Sequence, residues 1–184
     1  MNRVFGLALC GAAVLLCPAS VRAEDPFAVS LKETSGGAYE IKAVLKTGVS
    51  VQAAWKVLTD YGRIHEFISS VRSSRVIERD SSRVLLAQET SYEVFFYKRD
   101  FKVVLDVRET PPARIDFEDT LKRDFRVYKG SWVLEPGEGG ARAKYHVLAD
   151  PDSRTPAFIA KWFIMNDVKR FLNDLLLEMN KQGA

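Results

Sequence analysis

Cysteine is absent from nearly all of this 184-residue sequence. Its two cysteines, Cys10 and Cys17, both lie within the first 23 residues. A cysteine-free body excludes a disulfide framework, a thiolate zinc site and a cysteine nucleophile from the rest of the chain.

An excess of charge of one sign is absent as well. Beyond residue 23 the sequence carries 25 Lys and Arg residues against 24 Asp and Glu residues. Because neutralising phosphates requires a basic surface, we expect no nucleic-acid partner. The composition is otherwise that of a globular protein, with 47% hydrophobic and 28% charged residues, and the length suits one domain.

Candidate catalytic and metal-binding groups are scarce. His65 and His146 are the only histidines, and neither lies near other residues at a spacing typical of metal ligands. The sequence contains no phosphate-binding glycine loop and no recognisable set of nucleophile and base. We therefore predict no metal site, no cofactor and no catalytic residue.

The first 23 residues have the pattern of a secretory signal peptide. Arg3 supplies the positive start, residues 4–16 form an apolar run, and Val21-Arg22-Ala23 is a cleavage site of small residues. The alternative, a membrane anchor, would need roughly 20 apolar residues. We predict an exported protein, periplasmic in a Gram-negative bacterium and otherwise secreted, whose mature chain begins at Glu24. Residues 24–37 contain two adjacent glycines and little periodicity, which predicts a flexible leader.

Residues 38–182 are predicted to form the single folded domain. Alternating apolar and polar residues over 39–47 predict a first strand. Ser50 is placed to cap a helix over 51–58, and a second short helix is expected over 61–67.

The middle of the domain is rich in β-branched and aromatic residues, in runs separated by turn signals. Strands so closely spaced favour antiparallel hairpins. The predicted strands cover residues 74–79, 83–93, 95–109, 114–120, 125–135 and 141–150.

A long helix is predicted at the end of the sequence. Thr155 suits an N-cap and Pro156 suits the first helical position, and no glycine or proline follows until Gly183. From Val168 to Met179 the apolar residues fall on one side of the helix, which predicts packing against a sheet.

Two segments and this order of elements resemble the START-like helix-grip (SRPBCC) superfamily, in particular its polyketide cyclase/dehydrase and coenzyme-Q-binding branch. Residues 51–61, VQAAWKVLTDY, are similar to the helix and turn that follow the first strand in that branch. Residues 124–132, DFRVYKGSW, are similar to its late-strand signature. The resemblance implies an α+β helix-grip fold: a curved antiparallel sheet of about six or seven strands around a long C-terminal helix, with two short helices after strand one.

The resemblance also implies a cavity between sheet and C-terminal helix that holds an apolar ligand. Aromatic residues of the strands and apolar residues of the helix are candidates for its walls, with ordinary core packing as the alternative for each. Lys161 interrupts the apolar side of the helix and is a candidate anchor for a polar head group, the alternative being an ammonium in water. The candidate ligand-binding residues are Phe67, Phe95, Tyr97, Phe101, Phe117, Trp132, Tyr145, Lys161, Met165, Val168 and Leu172.

The first two turns of the last helix are apolar on almost every side. Phe158, Ile159, Trp162 and Phe163 therefore need a cover, which is either the segment 61–67 or a membrane or protein partner.

These patterns predict an exported carrier for a hydrophobic small molecule such as a lipid, a quinone or a polyketide-like compound. A cyclase/dehydrase-type enzyme is the first alternative, because cyclases of this fold act by shaping and protonating a bound chain and need no catalytic triad. A docking module without a ligand is the second.

Overall fold

The computed structural model describes residues 27–94, 97–152 and 157–182, and within them the side chains of all residues except 92–97 and 157–165. The predicted signal peptide, residues 1–23, lies outside this part of the chain. Eight antiparallel strands form one sheet, in the spatial order β1-β2-β8-β7-β6-β5-β4-β3. The strands are β1 Phe27–Glu33, β2 Tyr39–Lys46, β3 Val71–Arg79, β4 Arg83–Val94, β5 Tyr97–Thr110, β6 Arg114–Asp119, β7 Phe125–Gly137 and β8 Gly140–Pro151.

The helices follow the predicted order. They are α1 Val51–Leu58, a 3₁₀ turn at Tyr61–Arg63, α2 Ile64–Phe67 and α3 Ala157–Lys181. The long helix and the curved antiparallel sheet confirm the predicted α+β helix-grip fold, with eight strands rather than six or seven. Among the described helices, none is both long and apolar enough to cross a membrane.

The additional strand, β1, lies in the segment that the sequence predicted to be a flexible leader, residues 24–37. Residues 27–33 pair with β2 along their whole length, from Phe27 opposite Leu45 to Glu33 opposite Tyr39. The two glycines form the hairpin turn, where the Thr34 N–H donates to the Ala38 carbonyl at 2.8 Å and Gly37 adopts a positive φ of 80°. The leader prediction was wrong for this stretch because the glycines connect two strands.

Local signals set the first helix and the start of the third strand. The Ser50 hydroxyl oxygen accepts a hydrogen bond from the Ala53 N–H at 3.2 Å, so the predicted cap is present and α1 has the predicted bounds. Strand β3 begins at Val71, three residues before the predicted start. The sequence pattern missed these residues because a bulge between Val71 and Ser73 interrupts the alternation of buried and exposed side chains.

The core lies between the sheet and the helices. Helix α1 buries Ala54, Val57 and Leu58, and α3 buries Leu172, Leu175 and Met179. These side chains join the cavity-facing positions of the strands in one hydrophobic cluster. The C-terminal half of α3 therefore packs as its amphipathic pattern predicts, and it forms one wall of the space described next.

Candidate functional site

A cavity of about 220 Å³ lies between the sheet and the three helices. Strands β2 to β8, the 3₁₀ turn, α1, α2 and the middle of α3 contribute its walls, which are mostly apolar. On α3 the lining residues are Asp167, Val168, Phe171 and Leu175. A concave, mostly apolar space with few polar groups is the usual form of a small-molecule site.

Most of the predicted candidates with described side chains line this cavity. They are Phe67, Phe101, Phe117, Trp132, Tyr145 and Val168. Leu172 does not line it. That side chain is fully buried in the core, because only part of the wide apolar side of α3 faces the open space.

The remaining candidates lie outside the described residues or side chains. These are Phe95, the side chains of Tyr97, Lys161 and Met165, and the predicted docking side chains of Phe158, Ile159, Trp162 and Phe163. Their roles stay predictions.

Two groups of aromatic rings hold the walls in place. One group joins Phe101 and Phe125, with ring centroids 5.3 Å apart, to Tyr128, whose ring lies 4.8 Å from that of Phe125. In the other, Trp132 and Tyr145 stack at 4.4 Å, and Phe171 of α3 packs 5.7 Å from Tyr145. Packing against one another holds these rings in fixed positions along the cavity wall.

Several polar groups at the cavity were not predicted from the sequence. Gln88 and Thr90 lie on β4 in alternation with the buried Leu86, so the period of the strand was the signal that could have identified them. The Gln88 amide donates to the Ser74 hydroxyl at 3.1 Å, and that hydroxyl donates to the Tyr61 carbonyl at 2.6 Å. These two hydrogen bonds connect β4 and β3 to the 3₁₀ turn and hold the turn beside the cavity.

Tyr61 lines the cavity and has a deeply buried hydroxyl. The residue is 4% exposed, and its phenol lies close to the Glu109 carboxylate. The Arg79 guanidinium lies 5.5 Å above its ring, and Arg79 Nη1 is 3.8 Å from Glu109 Oε1. Burial raises the pKa of Tyr61 well above its ordinary value, and the negative charge of Glu109 and its hydrogen bond with the phenol raise this pKa further. The phenol therefore stays protonated at neutral pH and serves as a donor towards the Glu109 carboxylate.

An ion network lies at the other end of β5. Arg99 is 13% exposed, with Nη2 2.9 Å from Asp152 Oδ1 and 3.5 Å from Asp124 Oδ1. Its guanidinium also lies 4.8 Å above the ring of Phe101, and Asp124 accepts the N–H of Lys102 at 2.9 Å. The network joins β5 to the start of β7 and the end of β8, and it holds Phe101 in the cavity wall.

Neither histidine belongs to the cavity. His65 and His146 are exposed, and His146 Nε2 lies 3.0 Å from Glu40 Oε1. Within the part of the chain that the structure describes, no three His, Cys, Asp or Glu side chains are grouped to hold a metal ion.

Tyr128 predicts how alkaline pH acts on the fold. Burial raises its pKa to about 12, and a hydrogen bond with Tyr145 offsets part of the shift. An unfolded tyrosine ionises near pH 10, so above that pH the unfolded state loses a proton that the native state keeps. The contribution is complete below about pH 10, and roughly 2 to 3 kcal/mol is lost as the pH rises to about 12.

Urea unfolding of the wild type and of Tyr128→Phe between about pH 9 and 12 measures this effect. We expect the difference in unfolding free energy between the two proteins to shift by that amount in favour of the variant. If the unfolding free energies of the two proteins changed in parallel with pH, Tyr128 would have the same pKa in the folded and unfolded states, and the prediction would be wrong.

Solved structures with this fold extend over most of the chain. A STAR-related lipid transfer protein from Xanthomonas axonopodis has a TM-score of 0.64 and 16% identity, and covers 84% of this chain and 99% of its own. Human StAR-related lipid transfer protein 5 has a TM-score of 0.63 and 12% identity, with coverage of 87% and 85%. The Zhui aromatase/cyclase from Streptomyces sp. R1128 has a TM-score of 0.63 and 10% identity, with coverage of 79% and 95%. At these identities the likeness establishes the fold.

Among curated proteins, none matches this sequence. Residues 47–176, from the end of β2 to the last turns of α3, match the family described as polyketide cyclase / dehydrase and lipid transport. This match spans α1, both segments that carry the sequence resemblance, and most of the strands and helices that line the cavity. The chain therefore belongs to the polyketide cyclase/dehydrase and lipid transport family.

Proposed function

We propose that this protein is an exported carrier that binds one hydrophobic small molecule, of lipid, quinone or polyketide type, in the cavity between sheet and α3. The observation that carries the proposal is the cavity of about 220 Å³ with aromatic walls. Apolar surface gains free energy when it leaves water, so such walls favour an apolar guest. Structural relatives named as lipid transfer proteins support the same class of ligand.

A cyclase/dehydrase-type enzyme is the second candidate, favoured by the aromatase/cyclase among the structural relatives. A general acid works best with a pKa near the operating pH. The raised pKa of Tyr61 makes it a poor proton donor at neutral pH. The cavity supports binding better than proton transfer, and turnover of a bound polyketide would reverse that order.

Native mass spectrometry of the protein from its exported compartment tests the proposal. We expect a chain that begins at Glu24 and carries one apolar adduct, which denaturing lipid extraction then identifies. If the protein stays inside the cell and keeps its first 23 residues, the export prediction is wrong, whereas the carrier function is unaffected. A wild-type protein that is free of adduct and takes up no compound from a lipid extract would contradict the carrier function.

Two tryptophan substitutions on α3 test whether the ligand binds in the cavity. Val168 lines the cavity, whereas its neighbour Lys169 is exposed. We expect Val168→Trp to fill the cavity and reduce adduct occupancy about tenfold or more, since the guest then loses apolar contact area. Lys169→Trp is the matched control, and we expect it to keep the adduct. Equal occupancy in the two variants would place the ligand elsewhere.

A further inference from the structure

Three uncharged polar side chains line the cavity where β3 and β4 pair: Ser70, Gln88 and Thr90. Gln88 and Thr90 follow the buried Leu86 at intervals of two residues, so they lie on the same, inward face of β4. Ser70 lies beside them, because its carbonyl accepts the Ser91 N–H at 3.0 Å. These three residues form a polar patch at one edge of a mostly apolar wall.

The hydrogen bonds around Gln88 fix the direction of its amide. The Ser74 hydroxyl has one hydrogen atom and donates it to the Tyr61 carbonyl at 2.6 Å. Gln88 is therefore the donor in its own bond to that hydroxyl, where Nε2 lies 3.1 Å from Ser74 Oγ. The amide oxygen Oε1 lies on the other side of the amide and accepts no hydrogen bond within the described part of the chain. Gln88 thus presents a free acceptor.

The hydroxyl of Thr90 is the second unused group. It has no hydrogen-bond partner among the residues that the structure describes. Neither Thr90 Oγ1 nor Gln88 Oε1 is fully buried, so both atoms keep accessible surface. Because both residues line the cavity, a ligand atom can reach these two oxygens.

The spacing of the two groups suits one ligand oxygen. Residues two apart on a strand lie about 7 Å from each other, so an oxygen placed between their side chains can contact both. Gln88 Oε1 only accepts, whereas the Thr90 hydroxyl can donate. A ligand hydroxyl satisfies both groups at once. A ligand carbonyl would accept from Thr90 but would leave Gln88 Oε1 without a donor.

The charge of the cavity disfavours an ionised head group. Among the described residues that line it, Asp167 is the only one whose side chain carries a full charge at neutral pH. Burial is the main cause of the raised pKa of Tyr128, and the negative charge of Asp167 adds to it. A ligand carboxylate would lose its hydration shell in the same cavity as this negative charge, whereas an uncharged hydroxyl costs less to bury.

We propose, on the basis of the proposed function, that Gln88 and Thr90 bind the hydroxyl group of an uncharged hydrophobic alcohol or phenol. The hydroxyl donates to Gln88 Oε1 and accepts from the Thr90 hydroxyl, and the apolar part of the ligand contacts the aromatic walls. This assignment narrows the class of ligand from any hydrophobic compound to one that is neutral and carries a hydroxyl group.

Three naphthalene derivatives of similar size test the assignment. 2-Naphthol carries a hydroxyl, 2-methylnaphthalene carries a methyl group in its place, and 2-naphthoate carries a carboxylate. Isothermal titration calorimetry at neutral pH gives a dissociation constant for each. We expect the wild type to bind 2-naphthol about tenfold more tightly than 2-methylnaphthalene, and 2-naphthoate more weakly than either.

Thr90→Val replaces the hydroxyl with a methyl group and breaks no hydrogen bond among the described residues. We expect it to reduce the preference for 2-naphthol to about threefold or less and to bind 2-methylnaphthalene at least as tightly as the wild type. Gln88→Leu is expected to reduce the preference similarly. Thr110→Val is the matched control, because Thr110 is an exposed residue at the end of β5 that does not line the cavity, and we expect it to keep the tenfold preference. Circular dichroism confirms that each variant is folded.

The outcomes separate the hydroxyl site from the carrier function. Equal affinity of the wild type for 2-naphthol and 2-methylnaphthalene would overturn the hydroxyl site and leave the apolar cavity as a binding site. A preference that both Thr90→Val and Gln88→Leu retain would overturn the roles of these residues. If 2-naphthoate bound most tightly, the cavity would hold an anionic head group, with Lys161 the first candidate for its partner, and the proposal would be wrong. If no probe bound, the hydroxyl site would be contradicted, and the adduct in the native mass spectrum would decide the carrier function independently.

Discussion

Replacing Gly130 with alanine is expected to lower the free energy of unfolding by about 3 kcal/mol, because β7 has no room for a side chain at this position. A Cβ atom there would lie 2.7 Å from Val147 Cγ2 and 2.8 Å from Phe117 Cζ, and it would collide with the carbonyl oxygen of His146. The carbonyl belongs to the paired strand β8. The collision can therefore be removed only by a shift of the backbone, because no change of side-chain rotamer moves a carbonyl oxygen.

The same substitution is expected to change the cavity. Phe117 pairs with Gly130 across β6 and β7, and its ring lines the cavity while it packs over the glycine. A methyl group at position 130 displaces that ring towards the open space. We therefore expect the apolar ligand to bind about tenfold or more weakly, seen as a lower adduct occupancy in native mass spectrometry, in addition to the loss of stability.

Gly62→Ala is the matched control, because nothing lies within 4 Å of a Cβ atom built at Gly62. We expect this variant to change the unfolding free energy by less than about 1 kcal/mol. Urea denaturation followed by circular dichroism measures both variants. If Gly130→Ala unfolds at the same urea concentration as Gly62→Ala, the close packing of Phe117 on β7 is wrong.

Local patterns were sufficient for most of the fold. The Ser50 cap and the apolar positions of α1 set a helix whose bounds are confirmed, since both signals act within one or two turns. Strand β1 was missed although Phe27, Val29 and Leu31 alternate with more exposed residues, because two glycines also fit the end of a leader. A turn and a linker share their composition, and only the pairing partner distinguishes them.

The cavity was predictable in its aromatic walls and unpredictable in its polar groups. Phe101, Phe117 and Trp132 face inward by the period of their strands, which a sequence displays directly. The approach of Tyr61 to Glu109 brings together the 3₁₀ turn and the end of β5, which are distant in the sequence, and no local signal encodes that approach. Leu172 was wrongly predicted to line the cavity for a related reason. Helical periodicity identifies the apolar side of α3, but it does not identify which part of that side faces the cavity and which part, like Leu172, is buried in the core.

Replacing Asp119 with alanine is expected to cost about 3 to 5 kcal/mol of the free energy of unfolding. Asp119 is 2% exposed at the end of β6. Its carboxylate accepts the N–H groups of Val104 and Leu121 at Oδ1 and of Lys122 at Oδ2, each at 3.0 Å. Lys122 has a positive φ of 48°, so the carboxylate also holds a backbone conformation that a lysine rarely adopts. Alanine would leave three donors without an acceptor.

Asp119→Asn and Asp116→Ala separate this mechanism from a general loss of charge. Asparagine keeps one acceptor oxygen, so we expect about half of the loss. Asp116 is a partly exposed residue of the same strand, ion-paired with Arg114, and its replacement by alanine is expected to cost less than about 1 kcal/mol. Urea denaturation at neutral pH gives the three values. Equal losses for Asp119→Ala and Asp116→Ala would show that the turn holds without its carboxylate, and Phe117, two residues before Asp119, would then need another support for its place in the cavity wall.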